Sequence, residues 1–299
     1  MKILITAGGT SEKIDKVRKI TNVASGRLGA LIAEEFAAQF AVEIFYVCGV
    51  NAVIPAFETV KKGEKAASIK VIKIESVDEL KNVVTQLFTQ HKFDAVIHSM
   101  AVSDYAVRCV TSAQDMVSSI AEKLSQDKQS QKSYDSLVET INSAIFKNEV
   151  NINNSGYGNS GELNNISSRD KISSDIDDLI IFMNKTPKII KLIKQMQPET
   201  VLVGFKLLVN VDENTLLRIG HDLLVKNNCD FVFANDLEQI GSVNELKQLL
   251  KDSHKGILIK PDASFQRLHS KKEIAEAITK NVLAKVMNCE FSSPLSISS

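Results

Sequence analysis

The chain of 299 residues has no net charge, no long apolar run and few cysteines, and each absence excludes a class of protein. Lysine and arginine total 36, as do aspartate and glutamate, so no overall field attracts nucleic acid or an acidic membrane. No apolar run approaches membrane-spanning length, and the stretch 1–5 is too short to be a signal sequence. We therefore expect a cytoplasmic protein with no nucleic-acid and no membrane partner.

Cysteine and histidine show none of the spacings that create a disulfide framework or a zinc site. The four cysteines are far apart and form no C-x-x-C motif, so reduced thiols are expected. The five histidines contain no H-x-x-x-H pair that would place two imidazoles on one helix face. The sequence thus predicts no protein-ligated metal.

Two familiar nucleotide fingerprints are also missing. No G-x-x-x-x-G-K-[ST] occurs, and Gly8-Gly9-Thr10 does not continue as G-x-G-x-x-G. Instead, an apolar strand runs into this glycine turn, and Ser25-Gly26 opens an amphipathic helix. Paired turns of this kind present backbone N–H groups to phosphate in α/β proteins, although a purely structural connection between strand and helix is the alternative.

Short β-branched runs alternate with helical periodicity along most of the chain. This alternation predicts an α/β fold, a three-layer Rossmann-like sandwich with a mainly parallel sheet. The predicted strands are 2–6, 42–47, 69–74, 94–99, 201–205, 230–234 and 256–260. The predicted helices are 26–39, 77–91, 187–194, 213–227 and 271–287, and in the third Thr186 is the expected cap before a proline.

One segment breaks the alternation. Residues 111–168 are rich in Ser, Asn, Gln, Asp and Lys, a composition that buries too little apolar surface to offset its ordering entropy. We interpret it as a long disordered, low-complexity surface insertion within a single domain of residues 1–299, with a frayed tail at 289–299. Weak helical periodicity at 116–124 and 136–146 leaves a partner-binding role open beside that of a tolerated loop.

Polar side chains follow three of the predicted strands. Asp104 follows the strand 94–99, Phe205-Lys206 ends the strand that begins at Val201, and Asn235-Asp236 ends the next one. Open α/β sheets bind ligands at the carboxyl ends of their strands. These strand ends are therefore candidates for one binding site.

The motifs I-T-A-G-G-T, V-R-x-x-x-N-x-x-S-G-x-x-G, A-V-S-D-Y, K-I-S, V-G-F-K and A-N-D-L occur in this order. Together they resemble the phosphopantothenate-cysteine ligase family, also called phosphopantothenoylcysteine synthetase, in its stand-alone form. The resemblance covers residues 1 to about 106 and 171 to about 287. It implies a homodimeric ligase that joins 4'-phosphopantothenate to cysteine through an acyl-nucleotide, using CTP or ATP, in coenzyme A biosynthesis. Mg²⁺ is expected on general grounds, because triphosphate chemistry at neutral pH uses this ion to neutralise charge.

The resemblance also implies roles for individual residues. Those expected to line the nucleotide are Gly8, Ala24, Gly26, Gly29, Phe205, Asn235 and Lys206. Those expected to contact phosphopantothenate or its acyl intermediate are Arg18, Asn22, Met100, Ala101 and Asp104, with Arg18 reaching across the dimer. Those expected to take part in catalysis are Asn22, Lys171 and Asp104, with Lys171 at the start of a mobile flap.

Each role has a structural alternative. Asn22 could cap a helix, Asp104 could stabilise a turn, and Phe205 could fill the core. Arg18 and Lys171 could be ordinary exposed cations. Two other functions also remain open at this point: an NAD(P)-dependent oxidoreductase, and a catalytically inactive nucleotide-binding protein of the same fold.

Overall fold

The computed structural model describes residues 1–39, 41–56, 67–126, 133–146, 171–237 and 253–291. Their strands are β1 (Lys2–Ala7), β2 (Ser11–Lys13), β3 (Lys19–Thr21), β4 (Glu43–Gly49), β5 (Ser68–Ile74), β6 (Ala95–His98), β7 (Tyr105–Ser112), β8 (Leu179–Lys185), β9 (Val201–Leu208), β10 (Phe231–Asp236), β11 (Ser253–Ile259) and β12 (Phe265–Ser270). Their helices are α1 (Arg27–Gln39), α2 (Val77–Gln90), α3 (Ala113–Gln126), α4 (Tyr134–Phe146), α5 (Ile189–Met196), α6 (Glu213–Asn227) and α7 (Lys271–Phe291).

The chain divides into two compact units. The first comprises Met1–Ser11, Thr21–Asp104 and Pro187–Ser299, and the second comprises Glu12–Ile20 and Tyr105–Thr186. The expectation of a single domain, with an insertion at 111–168 and a tail at 289–299, stays a prediction.

The first unit is built on an eight-stranded sheet in the order β12-β11-β10-β9-β6-β1-β4-β5. The strands from β10 to β5 are parallel to one another, whereas β11 and β12 are antiparallel to their neighbours. The predicted mainly parallel sheet is therefore confirmed.

Helices cover both faces of this sheet because its strands are apolar on both sides. Along β1, Ile3 and Ile5 belong to a buried cluster with residues of α1 and α7. Leu4, which points the other way, belongs to a second cluster with residues of α2, α5 and α6. This arrangement confirms the predicted three-layer sandwich.

Helix α6 shows why one pair of boundaries could be read from the sequence. The Asp212 side chain accepts a hydrogen bond from the backbone N–H of Thr215 at 2.6 Å, which caps the amino terminus. At the other end, Asn228 adopts the left-handed conformation with φ 51°, which terminates the helix. Both residue types are strong signals for a helix end, and the predicted range 213–227 matches the structure.

Weak local signals explain the elements that the sequence pattern missed. The turn between β11 and β12 places Ala263 at φ 62°, a conformation more often occupied by glycine or asparagine. Because alanine stands there, the sequence contains no turn motif that would predict this hairpin. Helix α5 begins at Ile189 with Lys188 as its cap, so Thr186 is not the cap and that prediction is wrong.

The second unit contains the antiparallel pair β7–β8 and the helices α3 and α4. Helix α3 packs against α4 and β7. These helices extend the weak periodicities noted at 116–124 and 136–146, so residues 113–126 and 134–146 of the predicted insertion are helical. Residues 127–132 and 147–168 of the predicted insertion lie outside the described residues.

The described part of the chain has no helix that is both long and apolar enough to cross a membrane. Cys48, Cys109 and Cys229 are free thiols. Burial raises the pKa of the Cys229 thiol to about 12, which keeps it protonated and unreactive at neutral pH.

Two histidines make folding stability depend on pH. His98 on β6 is 7% exposed, and its Nδ1 lies 2.8 Å from Thr6 Oγ1. Burial lowers the pKa of His98 from 6.5 to about 4, and burial together with the charge of Lys271 lowers the pKa of His254 to about 4. Below pH 6.5 the unfolded chain therefore binds protons that the folded chain does not.

We predict that the free energy of unfolding falls as the pH decreases from about 6.5 to about 4, by at most about 1.4 kcal/mol per pH unit for each histidine. His98→Gln should remove one histidine's share of this slope in urea unfolding measured at successive pH values. His269→Gln, at an exposed position on β12, is the matched control and should leave the slope unchanged. Identical slopes in the unmodified protein and His98→Gln would contradict the prediction.

Candidate functional site

The candidate site of the first unit lies at the point where the strand order reverses. Successive parallel strands run outward from β1 to β4 and β5 on one side, and from β6 to β9 and β10 on the other. Ligands in open α/β sheets bind at the carboxyl ends of the strands that flank such a reversal. The segments that follow β1 and β6 are therefore the candidate ligand-binding elements.

Those two segments are hydrogen-bonded to each other. The N–H of Ala101 donates to the carbonyl of Gly8 at 2.8 Å, and the N–H of Thr10 donates to the carbonyl of Ala101 at 3.2 Å. Thr10 Oγ1 also accepts from the N–H of Ser103 at 2.9 Å. The glycine turn and the loop after β6 thus form one continuous edge.

Asn22 is attached to this edge through its side chain. Its Nδ2 donates to the carbonyl of Ala101 at 3.2 Å, and its backbone N–H donates to the carbonyl of Thr10 at 3.2 Å. Since α1 begins at Arg27, Asn22 does not cap the helix, and that alternative is wrong. One N–H of the Asn22 amide donates to Ala101, and this bond does not use the second N–H or Oδ1 of the same amide.

Glycine is required where the turns pack together. A Cβ added at Gly9 would lie 2.2 Å from the Asn22 carbonyl oxygen. Gly26 has φ +73°, and a Cβ added there would lie 3.0 Å from the backbone nitrogen of Gly8. The amino terminus of α1 is therefore held directly against the glycine turn.

The other small residues near α1 have different surroundings. Ala24 is half-buried just before the helix, whereas Gly29 is buried within it. A Cβ added at Gly29 would lie 2.6 Å from Ala7 Cβ and 2.8 Å from Ser99 Oγ, so this glycine lets α1 approach β1 and β6. The first turn of α1 has no acidic residue to neutralise its positive end.

Met100 and Asp104 follow β6 on either side of Ala101 but differ in exposure. Met100 is 6% exposed and packs in the apolar cluster that also contains residues of α2. Asp104 is exposed and forms an ion pair with Lys188, the cap of α5. Sequence reasoning missed Lys188 because it assigned the cap to Thr186.

Strand alternation separates the residues expected at the ends of β9 and β10. Phe205 packs against Phe233, with ring centroids 5.7 Å apart, on the face covered by α1 and α7. Asn235 is 6% exposed and lies on this same face, two residues after Phe233. Lys206 lies on the opposite face, so the structure brings Phe205 and Asn235 together but not Lys206.

His254 is a neighbour of Asn235 that the sequence did not reveal. Its Nε2 lies 3.4 Å from Asn235 Nδ2, and its ring stacks on Phe233 at a centroid distance of 6.1 Å. Because burial lowers the pKa of His254 to about 4, the imidazole is neutral at pH 7 and can accept a hydrogen bond. No motif includes this histidine, which explains why it was missed.

The two remaining predicted residues, Arg18 and Lys171, belong to the second unit. Arg18 Nη2 donates to the carbonyl of Ile172 at 2.7 Å, and Arg18 Nε donates to Asp15 Oδ2 at 3.1 Å. Lys171 is exposed and directly precedes Ile172, which is 2% exposed. The structure therefore brings Arg18 beside the segment that carries Lys171.

Asp15 connects these two segments and was not singled out from the sequence. It is 2% exposed. Burial by itself would raise the pKa of its carboxyl, but hydrogen bonds from the N–H groups of Val17, Arg18 and Ile172, together with the Arg18 charge, lower that pKa to about 2. The available signal was its position three residues before Arg18.

The chain is similar to curated proteins that are named for coenzyme A biosynthesis. The coenzyme A biosynthesis bifunctional protein CoaBC of Methanocaldococcus jannaschii is 25% identical over 283 residues, which cover 94% of this chain and 50% of that protein. CoaBC of Thermococcus kodakarensis is 26% identical over 241 residues, covering 81% of this chain and 42% of that protein. The chain thus spans about half the length of the curated relatives it matches.

Solved structures share the fold. A DNA/pantothenate metabolism flavoprotein from Streptococcus pneumoniae is 30% identical with a TM-score of 0.66, covering 95% of this chain and 99% of that one. A Cab2 variant in complex with phosphopantothenate-cysteine is 16% identical with a TM-score of 0.59, covering 98% of this chain and 89% of that one. At that identity the Cab2 likeness concerns the fold alone.

The family model of the DNA/pantothenate metabolism flavoprotein C-terminal domain matches residues 1–125 and 163–286. The matched residues include the glycine turn, Asn22, the loop after β6 and the ends of β9 and β10. The unmatched stretch, 126–162, falls within the segment whose composition departs from the rest of the chain. The chain belongs to the DNA/pantothenate metabolism flavoprotein C-terminal domain family.

Proposed function

We propose that the protein is a phosphopantothenate-cysteine ligase, which forms the amide between 4'-phosphopantothenate and cysteine in coenzyme A biosynthesis. The observation that carries this proposal is the edge formed by the glycine turn, Asn22 and Ala101 where the strand order reverses. Membership of the family, and relatives named as coenzyme A biosynthesis proteins, support the same activity.

The proposed reaction has two steps. The carboxylate of phosphopantothenate attacks the α-phosphorus of a nucleoside triphosphate, and pyrophosphate leaves as the acyl-nucleotide forms. The amine of cysteine then attacks the acyl carbon, loses a proton and expels the nucleoside monophosphate. Both transition states place negative charge on oxygen, so N–H donors and cations fixed beforehand are the groups that stabilise them.

The nucleotide is assigned to the turns and to the face shared with α1. The backbone N–H groups at Gly8 and the amino terminus of α1, with Ala24, Gly26 and Gly29 around it, would hold the phosphates. Phe205 would pack on the base, and Asn235 would contact it with its amide. Lys206 is the remaining residue expected to bind the triphosphate, but it lies on the face opposite to Phe205 and Asn235, which argues against this role.

The acyl group is assigned to the edge beside Ala101. Asn22 is held there by the Ala101 carbonyl and keeps one amide N–H for an oxygen that becomes negative during amide formation. Met100 and Ala101 would contact substrate through their backbones. Asp104, an exposed carboxylate, would have to exchange its ion pair with Lys188 for contact with substrate.

The cations of the second unit are assigned to phosphate. Arg18 is proposed to bind the phosphate of phosphopantothenate held by the other subunit of a homodimer, a task that suits its planar guanidinium. Lys171 is proposed to close over the reacting phosphate. A cytoplasmic location is part of the same proposal.

CTP or ATP is the proposed cosubstrate, with Mg²⁺ carried by the triphosphate. The described ranges contain no cluster of three or more His, Cys, Asp or Glu side chains that could hold a metal ion. Mg²⁺ is proposed to be held mainly by phosphate oxygens and water. When bound, the ion would neutralise charge that spreads over the phosphates.

The deciding experiment is a coupled pyrophosphate assay with phosphopantothenate, cysteine, Mg²⁺ and either CTP or ATP. We predict that one triphosphate supports pyrophosphate release that requires phosphopantothenate, with the amide product confirmed by mass spectrometry. Binding of triphosphate without turnover would instead indicate a nucleotide-binding protein. Turnover of a nicotinamide cofactor would indicate an oxidoreductase, and either result would contradict the proposal.

We predict that Asn22→Asp stalls the reaction after its first step. The substitution replaces an N–H donor by an oxygen facing the Ala101 carbonyl, so amide formation should slow by about a hundredfold or more. Rapid-quench experiments should show one burst of pyrophosphate and accumulated acyl-nucleotide. Asn214→Asp, an exposed position in the first turn of α6, makes the same chemical change and should behave like the unmodified protein. Equal loss of both half-reactions in Asn22→Asp would contradict the assigned role.

A further inference from the structure

We propose that Asp15 is a positioning residue that clamps Arg18 to the segment Lys171-Ile172, so that the Arg18 guanidinium presents a preorganised anion site. This inference rests on the proposed function for the identity of the anion, a phosphate of the substrate. It concerns only the second unit, to which all these residues belong.

One carboxylate oxygen of Asp15 shapes the turn that carries Arg18. Oδ1 accepts hydrogen bonds from the backbone N–H groups of Val17 and Arg18, each at 2.7 Å. The carbonyl of Arg18 in turn accepts from the N–H groups of Ile14 at 2.9 Å and Asp15 at 3.2 Å. These bonds fix the backbone at Arg18 without involving its side chain.

The other oxygen joins the turn to a distant part of the sequence. Oδ2 accepts from Arg18 Nε at 3.1 Å and from the N–H of Ile172 at 3.1 Å. Arg18 Nη2 donates to the carbonyl of the same Ile172 at 2.7 Å. Both polar backbone groups of Ile172 are thus held, one by each partner of the ion pair, and the three residues form a closed hydrogen-bonded ring.

The ring leaves positive charge available. The Asp15 side chain is fully buried, whereas the Arg18 side chain is 43% exposed and retains N–H groups that the two side-chain bonds do not use. The exposed Lys171 adjoins the ring through its peptide bond to Ile172. One buried carboxylate therefore orients Arg18 and fixes the backbone that follows Lys171, and orienting a cation beforehand lowers the entropic cost of binding an anion.

The Asp15 carboxylate can hold Arg18 over the whole physiological pH range. Its pKa of about 2 keeps it ionised, and a charged acceptor forms stronger bonds to Arg18 than an amide would. The lowered pKa also determines in which direction the hydrogen-bonded ring depends on pH. The clamp is intact above about pH 4 and is lost as the pH falls towards 2.

Asp15→Asn tests the proposal because it keeps one of the two side-chain acceptors and replaces the other by an amide nitrogen. The amide oxygen can still accept from Val17 and Arg18 and preserve the turn, whereas the amide nitrogen cannot accept from Arg18 Nε or Ile172. We expect the KM for phosphopantothenate to rise about tenfold, while the KM for the triphosphate stays within about twofold. In an Arg18→Ala background the same substitution should add no further effect on the KM for phosphopantothenate.

A second readout needs no substrate. Trypsin cleaves after lysine, and the ring holds the Ile172 side of the Lys171–Ile172 bond. Asp15→Asn should therefore accelerate tryptic cleavage at this bond by about fivefold or more, and mass spectrometry of the fragments measures the rate. Asp212→Asn is the matched control, since Asp212 also accepts a backbone N–H, at the cap of α6, and this variant should leave the cleavage rate unchanged. If Asp15→Asn does not fold by circular dichroism, Arg18→Lys, which keeps the charge but loses the fork geometry, should give the same acceleration.

The outcomes separate the two proposals. Absence of turnover in the unmodified protein contradicts the ligase function alone, because the tryptic rates require no substrate. Tryptic rates at Lys171–Ile172 that match those of Asp212→Asn would overturn the clamp, as would equal increases in KM for both substrates or additive effects in the Arg18→Ala background.

Discussion

The carbonyl oxygen of Ala101 is the acceptor on which the candidate site of the first unit depends. It receives the N–H of Thr10 and the amide of Asn22, each at 3.2 Å. These two donors come from the glycine turn after β1 and from the chain leading into α1, while the carbonyl belongs to the loop after β6. This shared acceptor joins three separate segments at the edge of the sheet, and the bonds from Ala101 N–H to Gly8 and from Asn22 N–H to Thr10 reinforce it.

The two units supply different kinds of chemistry. In the first, the polar groups are backbone N–H and C=O groups, a neutral amide and a neutral histidine, which suit contacts that need fixed positions. In the second, a buried carboxylate holds the cation Arg18 and the N–H of Ile172, which follows Lys171. The ligase proposal uses both, because positioning of the reacting groups and neutralisation of phosphate charge are separate requirements.

Much of the fold follows from local patterns. Alternating apolar runs predicted the layers because a parallel strand buried on both faces must be apolar on both. The caps Asp212 and Asn228 fixed the ends of α6, and Gly26 marked the start of α1. The hairpin β11–β12 was missed because Ala263 has a positive φ, which alanine rarely adopts. Helix α5 was placed too early because Thr186-Pro187 imitates a cap.

The sequence by itself determined the layered α/β fold, the glycine turns and the strand ends that carry Asn22, Asp104, Phe205 and Asn235, since each of these depends on residues close together in the chain. Only the tertiary structure decided which of them share surroundings: Phe205 with Asn235 but not Lys206, Asp104 with Lys188, and Asp15 with Ile172 across 157 positions. The physical reason is that periodicity and capping act within a few residues. Contacts between distant residues depend on the path of the whole chain, which no local pattern encodes.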